Sequence, residues 1–322
     1  MRLALLGTGM IVEEVLPVLR EIKGIELVAV LSTPRSLEKA QALCERYDME
    51  QATSDYQTIL ANDKVDTIYI GTPNHTHYAY AKEALLAGKH VICEKPFTLH
   101  KADLEDLAAL AKEKGLILLE AITNQYLPNT KAIKEHLQEL GEVKIVECNY
   151  SQYSSRYDAF KQGHIAPAFN PEMGGGALRD LNIYNIHLVV GLFGAPKTVF
   201  YLPNIERQVD TSGVLVMDYE GFKCICIGAK DCSADITSTI QGNKGTITIL
   251  GPTNSLPQIT VTHRDSPAKI INDNGDYHRM HAEFEVFEAI IAQNDLKKAH
   301  KQLEHSLLVM DVLDKAQESL KG

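Results

Sequence analysis

The sequence predicts an α/β protein in which an N-terminal doubly wound parallel sheet is followed by a C-terminal α+β domain with a large, mostly antiparallel open sheet. Two observations carry this prediction. Residues 3–120 alternate short apolar runs with helical segments, which is the pattern of a parallel sheet covered by helices. Beyond Asn124, strand-like segments follow one another through glycine turns, which is typical of an antiparallel sheet. We expect domains at residues 1–122 and 123–322.

The composition is that of an ordinary soluble globular protein. Its 322 residues are 45% hydrophobic and 23% charged, which is enough to bury a core in each of two domains. A net charge of -10 provides no electrostatic footprint for a nucleic acid. Met1 leads directly into a strand-like run rather than a signal peptide, and no apolar run is long enough to cross a bilayer. We therefore expect a cytoplasmic protein with neither nucleic-acid nor membrane partners.

Metal-ligating residues do not cluster in the sequence. The six cysteines are scattered along the chain and fit reduced thiols. Cys224 and Cys226 lack the second pair that a zinc site requires, and His75 and His77 lack a third ligand nearby in the chain. We expect no metal site.

A glycine turn connects the first predicted strand, residues 3–6, to the first helix. Strand, glycine turn and helix follow in the order that a dinucleotide site needs: Gly7 permits the tight turn, and Gly9 lets the backbone approach a pyrophosphate at the helix N-terminus. Val12 occupies the third position, where a small residue normally allows close helix–strand packing, so an ordinary strand-to-helix turn is the alternative. The residues assigned to the cofactor here are Gly7, Thr8, Gly9, Met10 and Ile11.

The end of the second predicted strand, residues 25–31, bears on the choice of cofactor. An acid there would bind the ribose 2′-hydroxyl of NAD, but the chain continues with Ser32, Thr33 and Arg35. Hydroxyls and an arginine suit the 2′-phosphate of NADP. We favour NADP(H), with NAD(H) as the alternative. Arg35 fits equally well the solvent-exposed start of a helix over residues 37–47.

Lys95 follows the predicted strand 90–94, and Pro96 favours an extended conformation for it. Because ligands bind at the carboxyl ends of parallel strands, its ammonium group is placed to reach a bound molecule. The alternative is a surface lysine paired with Glu94. Further strands are predicted at 65–70 and 116–120, with helices at 56–60, 78–87 and 102–114. The loops after the strands contribute to the cofactor site Thr72, Pro73, Asn74, His77, Glu94 and Lys95.

The C-terminal half contains one glycine-rich constellation. Gly174-Gly175-Gly176 precedes a helix on which Asp180, Tyr184 and His187 share one face. Asp180 also fits a capping acid, Tyr184 a half-buried tyrosine, and His187 a core histidine more readily than a ligand-binding one. The opposite stripe, expected to be buried, is Leu178, Leu181, Leu188 and Leu192. Around it we predict a helix at 131–140, strands at 143–150, 214–219, 222–227, 235–240, 246–250 and 258–262, and one or two closing helices within 276–320.

Taken together, these segments resemble the Gfo/Idh/MocA oxidoreductases. The resemblance rests on GTGMI at 7–11, GTPNHTH at 71–77, AGKHVICEKP at 87–96 and GGGALRDLNIY at 174–184. It implies an NAD(P)-dependent dehydrogenase or reductase of sugars, cyclitols or diols, with a Rossmann domain and a C-terminal domain whose open sheet forms a homodimer or homotetramer. A catalytically silent NAD(P)-sensing regulator of the same fold is the alternative.

The resemblance also implies roles for individual residues. Lys95 is the catalytic lysine, and Asp180 and Tyr184 are the acid and the tyrosine of the helix after the glycine run. In carrying a tyrosine at position 184, the chain resembles the dimeric dihydrodiol dehydrogenase branch, which includes xylose-oxidising members and prefers NADP.

Hydride transfer from an alcohol requires removal of the hydroxyl proton. Tyr184 accepts it if the ammonium of Lys95 lowers the pKa of the phenol, and Asp180 orients the pair. The alternative makes Lys95 the acid and base. The residues that we expect to line the substrate pocket are Arg156, Tyr157, Phe169 and His187.

Three positions depart from the family pattern. Val12 replaces a small residue, Asn182 stands where relatives often have glycine, and Asn124-Gln125 stands where the branch tends to carry tryptophan and arginine. We expect a substrate pocket that differs from those of the branch.

Overall fold

The computed structural model describes residues 1–264 and 266–321 and forms two compact units. The first unit contains Met1–Ala121 together with Met280–Leu307, and the second contains Ile122–Arg279 and the residues from Leu308 onward. The domain ranges 1–122 and 123–322 stay a prediction. In the structure, the segment Met280–Leu307 belongs to the first unit although it follows most of the second unit along the chain. No helix in the described residues has the length and apolar character needed to cross a membrane.

The sheet of the first unit is six-stranded and parallel throughout, which confirms the predicted doubly wound architecture. Its strand order is β3-β2-β1-β4-β5-β6, so the direction of winding reverses between β1 and β4. The strands are β1 (Arg2–Leu6), β2 (Glu26–Leu31), β3 (Gln51–Thr53), β4 (Thr67–Ile70), β5 (His90–Glu94) and β6 (Leu118–Ala121). The helices between them are α1 (Met10–Glu21), α2 (Leu37–Tyr47), α3 (Tyr56–Leu60), α4 (His77–Leu86) and α5 (Lys101–Lys114).

Burial on both faces explains why these strands were recognisable in the sequence. The four residues Leu3–Leu6 of β1 and the four residues of β4 are all buried, as expected for a sheet with helices on both sides. The strand that sequence reasoning missed, β3, is a half-buried edge strand without an apolar run.

The sheet of the second unit has eight strands in the order β14-β13-β12-β11-β7-β10-β9-β8. All neighbours are antiparallel except β7 and β10, which confirms a mostly antiparallel sheet. Both missed strands, β8 and β14, lie at the edges of the sheet. The strands are β7 (Val143–Ser151), β8 (Thr198–Glu206), β9 (Val209–Tyr219), β10 (Phe222–Ala229), β11 (Thr237–Gly242), β12 (Gly245–Leu250), β13 (Gln258–His263) and β14 (Ser266–Ile271). The remaining α-helices are α6 (Pro128–His136), α7 (Tyr157–Lys161), α8 (Ile183–Phe193), α9 (His281–Ala292) and α10 (Leu296–Glu318).

The helix after the glycine run differs from the predicted amphipathic helix. It starts with a π-helical turn, Leu178–Asn182, and continues as α8, in which every residue from Ile183 to Val190 is buried. Leu181 and Leu192, expected in the buried stripe, are only half-buried. Leu178 and Leu188 are buried as expected, but Tyr184 and His187 on the other face are buried as well, because residues 183–190 are enclosed on all sides.

Glycines opposite the bulky residues accommodate two of the departures from the family pattern. Val12 is fully buried, and a Cβ at Gly71 would lie 2.9 Å from its Cγ2. Likewise, a Cβ at Gly228 would lie 2.7 Å from the Cβ of Asn182. In each case the missing side chain of a glycine provides the space that a larger neighbour occupies.

The contact between Val12 and Gly71 leads to a stability prediction. The substitution Gly71→Ala should lower the free energy of unfolding by about 1–3 kcal/mol, because overpacking forces neighbours from their preferred positions. Adding Val12→Ala should recover part of that loss. Chemical denaturation of the four proteins measures the coupling. The control is Gly9→Ala, since a Cβ at Gly9 meets no atom within 4 Å; purely additive losses at Gly71 and Val12 would refute the contact.

Candidate active site

The turn after β1 forms a cradle for an anionic ligand. Gly7 adopts a φ of 112°, and its N–H donates to Leu31 O at 2.8 Å. A Cβ there would lie 2.9 Å from the carbonyl oxygen of Gly71, so a glycine is required. Gly9 starts α1 without a side-chain cap and with open space around it. The first amides of α1 are therefore oriented to receive a phosphate group.

A cavity of about 360 Å³ opens beside this cradle. Most of the residues that line it are glycines or carry a hydroxyl group, and they include no aspartate or glutamate. A dinucleotide whose ribose carries a phosphate fits such a lining, because no carboxylate repels it. The predicted cofactor residues on the cavity are Gly7, Thr8, Gly9, Ser32, Thr33, Thr72 and Pro73.

The other predicted cofactor residues lie outside the cavity wall. Met10 and Arg35 are exposed, and Arg35 sits in a short 3₁₀ turn, Pro34–Ser36, whose flanking residues line the cavity. His77 and Glu94 are buried. The residues predicted for the cofactor but absent from this wall are Met10, Ile11, Arg35, Asn74, His77, Glu94 and Lys95.

Two tyrosines that sequence reasoning did not identify line the cavity. Tyr56 and Tyr80 make an edge-to-face contact with ring centroids 5.0 Å apart, and the Tyr56 hydroxyl donates to Tyr80 O at 2.9 Å. Burial raises the pKa of Tyr56 above its ordinary value. The phenol therefore stays protonated and keeps its hydrogen bond. No motif marks these residues, since they come from α3 and α4.

The backbone around Lys95 is held by buried hydrogen bonds on both sides. Glu94 accepts a hydrogen bond of 2.7 Å from the Tyr69 hydroxyl, and burial, reinforced by this carboxylate, raises the pKa of Tyr69. The N–H of Phe97 donates to the buried carboxylate of Glu120 at 3.2 Å. Lys95 itself is half-buried. The position from which its side chain leaves β5 is therefore fixed by its neighbours.

His77 connects two loops of this unit. Its Nδ1 lies 2.9 Å from Pro96 O and its Nε2 lies 2.9 Å from Thr72 O, while the ring is buried. Burial lowers the pKa of His77, although the two carbonyl contacts oppose this effect. The ring lies between the cavity loop at Thr72 and the residue after Lys95, and in its neutral form its single N–H donates to one of the two carbonyls. This geometry supports a positioning role; direct contact with the cofactor stays a prediction.

The glycine run of the second unit allows close approach of the backbone to two other segments. A Cβ at Gly175 would lie 2.6 Å from Pro167 O, and Gly176, with φ 121°, faces the carboxylate of Asp210. Asp210 in turn accepts hydrogen bonds from the N–H of Leu178 at 2.7 Å and from the Tyr201 hydroxyl at 2.6 Å. The glycines thus fix the start of the helix that carries Asp180.

Asp180 is paired with a residue that the sequence did not point to. The buried Lys230, just beyond the end of β10, places its ammonium 2.7 Å from Asp180 Oδ2. The same ammonium donates to Ala168 O at 2.5 Å and lies 4.3 Å from the centroid of the Phe169 ring. No motif could have revealed it, because Asp180 and Lys230 lie 50 residues apart in the chain.

Tyr184 and His187 are buried in α8, and their carbonyl groups are engaged from outside the helix. The amide of Asn124 donates to Tyr184 O at 2.7 Å, and that of Gln125 donates to His187 O at 2.8 Å. The Tyr150 and Tyr184 ring centroids are 6.1 Å apart. The third departure from the family pattern, Asn124-Gln125, therefore anchors the helix that carries Tyr184.

The structure places the residues predicted for the substrate pocket in different surroundings. Phe169 is fully buried in a cluster with Phe160 and Val209, so it packs rather than lines an open pocket. Tyr157 stacks on Phe160, and a hydrogen bond of 2.7 Å to Glu206 raises the pKa of Tyr157 to about 12. Arg156 is half-buried at the start of α7, and His187 is fully buried. Their contact with a substrate stays a prediction.

Comparison with known proteins identifies the family. A model described as "Oxidoreductase family, NAD-binding Rossmann fold" matches residues 1–122, and one described as "GFO/IDH/MocA C-terminal domain" matches residues 130–248. The chain is also 34% identical to scyllo-inositol 2-dehydrogenase (NADP(+)) IolU of Bacillus subtilis (strain 168), over 99% of this chain and 97% of that protein. The chain belongs to the Gfo/Idh/MocA oxidoreductases. The predicted family, its Rossmann domain and its nicotinamide cofactor are thereby confirmed.

Other members of the Gfo/Idh/MocA oxidoreductases are more distant. The trans-1,2-dihydrobenzene-1,2-diol dehydrogenase of Homo sapiens is 26% identical over 78% of this chain and 75% of its own length. The structure of KijD10, a 3-ketoreductase of Actinomadura kijaniata in complex with NADP and TDP-benzene, matches with a TM-score of 0.87 at 23% identity, covering 99% of this chain and 97% of that one. The latter similarity supports the fold. As a member of this family, the protein is an NAD(P)-dependent dehydrogenase or reductase acting on CH–OH groups.

The buried His77 predicts a pH dependence of stability. Because its pKa is lowered in the folded state, the unfolded chain binds more protons, so the free energy of unfolding should fall as the pH drops below about 6.5. The substitution His77→Gln should remove this part of the pH dependence. It should also destabilise the protein at pH 7.5 by roughly 1–3 kcal/mol, because a buried carbonyl loses its partner.

Denaturation curves between pH 5.5 and 7.5 measure both effects. The control is His75→Gln, since His75 lies two residues before His77 but is exposed. If wild type and His77→Gln lose stability equally on acidification, His77 is not the titrating group.

Proposed function

We propose that the protein transfers a hydride between NADP(H) and a secondary hydroxyl group of a cyclitol, with an inositol as the first candidate and related sugars or diols as further substrates. The observation that carries this proposal is the 34% identity to an NADP(+)-dependent scyllo-inositol dehydrogenase across 99% of the chain. A relationship over nearly the full length includes both the cofactor cradle and the glycine-run helix.

The lining of the cofactor cavity supports NADP(H) over NAD(H). The hydroxyl groups of Ser32, Thr33 and Ser36 surround the end of β2, where an acid would otherwise bind a ribose hydroxyl. Arg35 is exposed within the same turn, Pro34–Ser36, which contains no acidic residue. Hydroxyl groups and a guanidinium group suit a 2′-phosphate, because they donate hydrogen bonds and the guanidinium carries the opposite charge.

We assign the proton transfer to Lys95 and Tyr184. When bound, the nicotinamide ring supplies the acceptor or donor of the hydride. As an alcohol is oxidised, its C–H hydride leaves with both electrons, its O–H proton passes to the enzyme and a carbonyl group forms. Tyr184 takes this proton if a cation stabilises the phenolate, and Lys95 takes it if desolvation lowers the pKa of the ammonium. Reduction follows the reverse path.

A substrate and cofactor panel tests the proposed activity. The purified full-length protein is assayed with scyllo-inositol, myo-inositol, glucose, xylose and a trans-diol, each with NADP⁺ and with NAD⁺. We expect the highest kcat/KM for an inositol with NADP⁺. Cofactor binding without turnover of any substrate in the panel would favour the catalytically silent regulator. A preference for NAD⁺ would contradict the role assigned to the hydroxyl-lined turn.

The variant Lys95→Ala tests the catalytic assignment. We expect kcat to fall by about 10²–10⁴-fold, as is typical when a proton-transfer group is lost, with NADP(H) affinity within a few-fold of wild type. The matched control is Lys112→Ala, an exposed lysine on α5. Appreciable residual activity in Lys95→Ala would remove Lys95 from the chemistry.

The open face of the eight-stranded sheet supports self-association. Phe200, Leu202 and Ile225 project from this face with 57%, 66% and 36% exposure. The register places Phe200 beside Val216, which lies beside Ile225, so these side chains form a continuous apolar row. Exposed apolar rows of this kind mark interfaces. We propose that two copies pair through this face, as a homodimer or as half of a homotetramer.

Sedimentation velocity tests the interface. The double variant Phe200→Glu/Leu202→Glu should shift the protein to a smaller species, because charges would be buried at the interface. The control is Leu86→Glu, which introduces the same charge at an exposed leucine on α4. A monomeric wild type, or an unchanged double variant, would eliminate this interface.

A further inference from the structure

We propose that Lys230 is a positioning residue that holds the carboxylate of Asp180 ionised and oriented for the reaction. The inference rests on the proposed function, in which Asp180 belongs to the catalytic machinery, and goes beyond it by assigning a task to Lys230. Lys230 is 2% exposed, which is rare for a lysine and requires strong compensation of its charge.

The surroundings of Lys230 fit this task. Its ammonium contacts a carboxylate, Asp180 at 2.7 Å, a carbonyl, Ala168 at 2.5 Å, and the face of an aromatic ring, Phe169 with its centroid at 4.3 Å. The carboxylate belongs to the helix after the glycine run, whereas the carbonyl and the ring belong to consecutive residues of the short turn Pro167–Phe169. The three contacts fix the direction of the ammonium, and through it the position of the Asp180 carboxylate.

The backbone at Lys230 is held as firmly as its side chain. Its N–H donates to Thr211 O at 2.8 Å, and its carbonyl accepts from the N–H of Ser154 at 2.9 Å. Ala168 O also accepts a hydrogen bond of 3.1 Å from the N–H of Gly176. The same carbonyl therefore joins Lys230 to the glycine turn that starts the Asp180 helix, so both ends of the ion pair share one support.

Two carboxylates of the same unit have hydroxyl donors of their own. Asp231 accepts from the hydroxyl groups of Thr211 at 2.7 Å and Ser212 at 2.9 Å. Asp210 accepts from Tyr201, and burial lowers the pKa of Arg179 while Asp210 and Asp314 oppose that effect. Lys230 places its ammonium directly on the carboxylate of Asp180.

The pair has a consequence for the division of roles. A carboxylate held by a buried ammonium is a poorer proton acceptor than an isolated one, because protonation would break the ion pair. Asp180 is therefore an orienting and electrostatic group, and the proton passes through Tyr184 or Lys95. The side chain of Asp180 remains 34% exposed, so it can still contact a bound ligand.

A double-mutant cycle on the full-length enzyme tests the proposal. The variants are Asp180→Asn, Lys230→Gln and the combination, assayed for kcat/KM on the preferred substrate from the panel. We expect Lys230→Gln to lose at least about tenfold and the combination to lose no more than about threefold beyond Asp180→Asn, because both changes disrupt the same pair. Losses that multiply would overturn the proposal.

The pH profile separates positioning from a general structural effect. In Lys230→Gln, the acidic limb of kcat/KM should move upward by at least about one pH unit, because Asp180 loses its cation. When Asp180 is already replaced by asparagine, adding Lys230→Gln should leave the pH profile unmoved. With Asp180 present, Lys230→Arg should keep part of the activity that Lys230→Gln loses. An unmoved limb in the single variant contradicts the assignment.

Controls keep the outcomes distinct. Lys223→Gln alters an exposed lysine on β10 that is also paired with an aspartate, Asp218, and should keep kcat/KM within about twofold. Thermal unfolding and NADPH fluorescence verify that each variant folds. If Lys230→Gln does not fold, the double variant, which leaves no unpaired charge, is compared with Asp180→Asn alone. A further loss of kcat/KM above threefold in the double variant then refutes the proposal. Wild-type activity in Asp180→Asn defeats the assigned catalytic set, whereas a defective Asp180→Asn beside an active Lys230→Gln defeats the inference alone.

Discussion

Buried polar groups that must be hydrogen-bonded fix the backbone around the lysine at the end of β5. An unpaired buried donor or acceptor is unfavourable, so each such group restricts the geometry of its partner. Tyr69 holds Glu94, Glu120 holds Phe97, and the ring of His77 faces the carbonyl of Pro96. A flexible side chain such as that of Lys95 can act with precision only when it leaves from a backbone that is this tightly held.

The same requirement shapes the second unit, where the polar side chains of an enclosed helix find partners on the neighbouring strands. The amides of Asn182 and Asn185 each donate at 3.0 Å to a carbonyl of β10, and Thr253 donates to Asn185 at 2.7 Å. These bonds allow residues 183–190 to be buried on every side although they include an amide, a histidine and a tyrosine. The ion pair between Asp180 and Lys230 stands at the start of that helix and extends the same network to a charged group.

Departures from a family motif are better judged in pairs than one at a time. Val12 would crowd an ordinary glycine turn, but Gly71 faces it; Asn182 would crowd a strand, but Gly228 faces it. Gln125 likewise occupies the space that a side chain at residue 191 would need. Such compensation is invisible in a linear pattern, because the two members of each pair lie far apart in the chain.

The sequence by itself determined the fold class, the order of the elements and the glycine cradle, since these depend on local periodicity and on backbone freedom at single positions. It also pointed to Lys95, Asp180 and Tyr184 through motifs whose residues lie close together in the chain. Only the tertiary structure decided that Phe169 packs in a core and that Lys230 faces Asp180. Edge strands such as β3 were not predicted from the sequence for the same reason. Burial and pairing of distant residues are properties of the packed chain, and no local pattern of side chains encodes them.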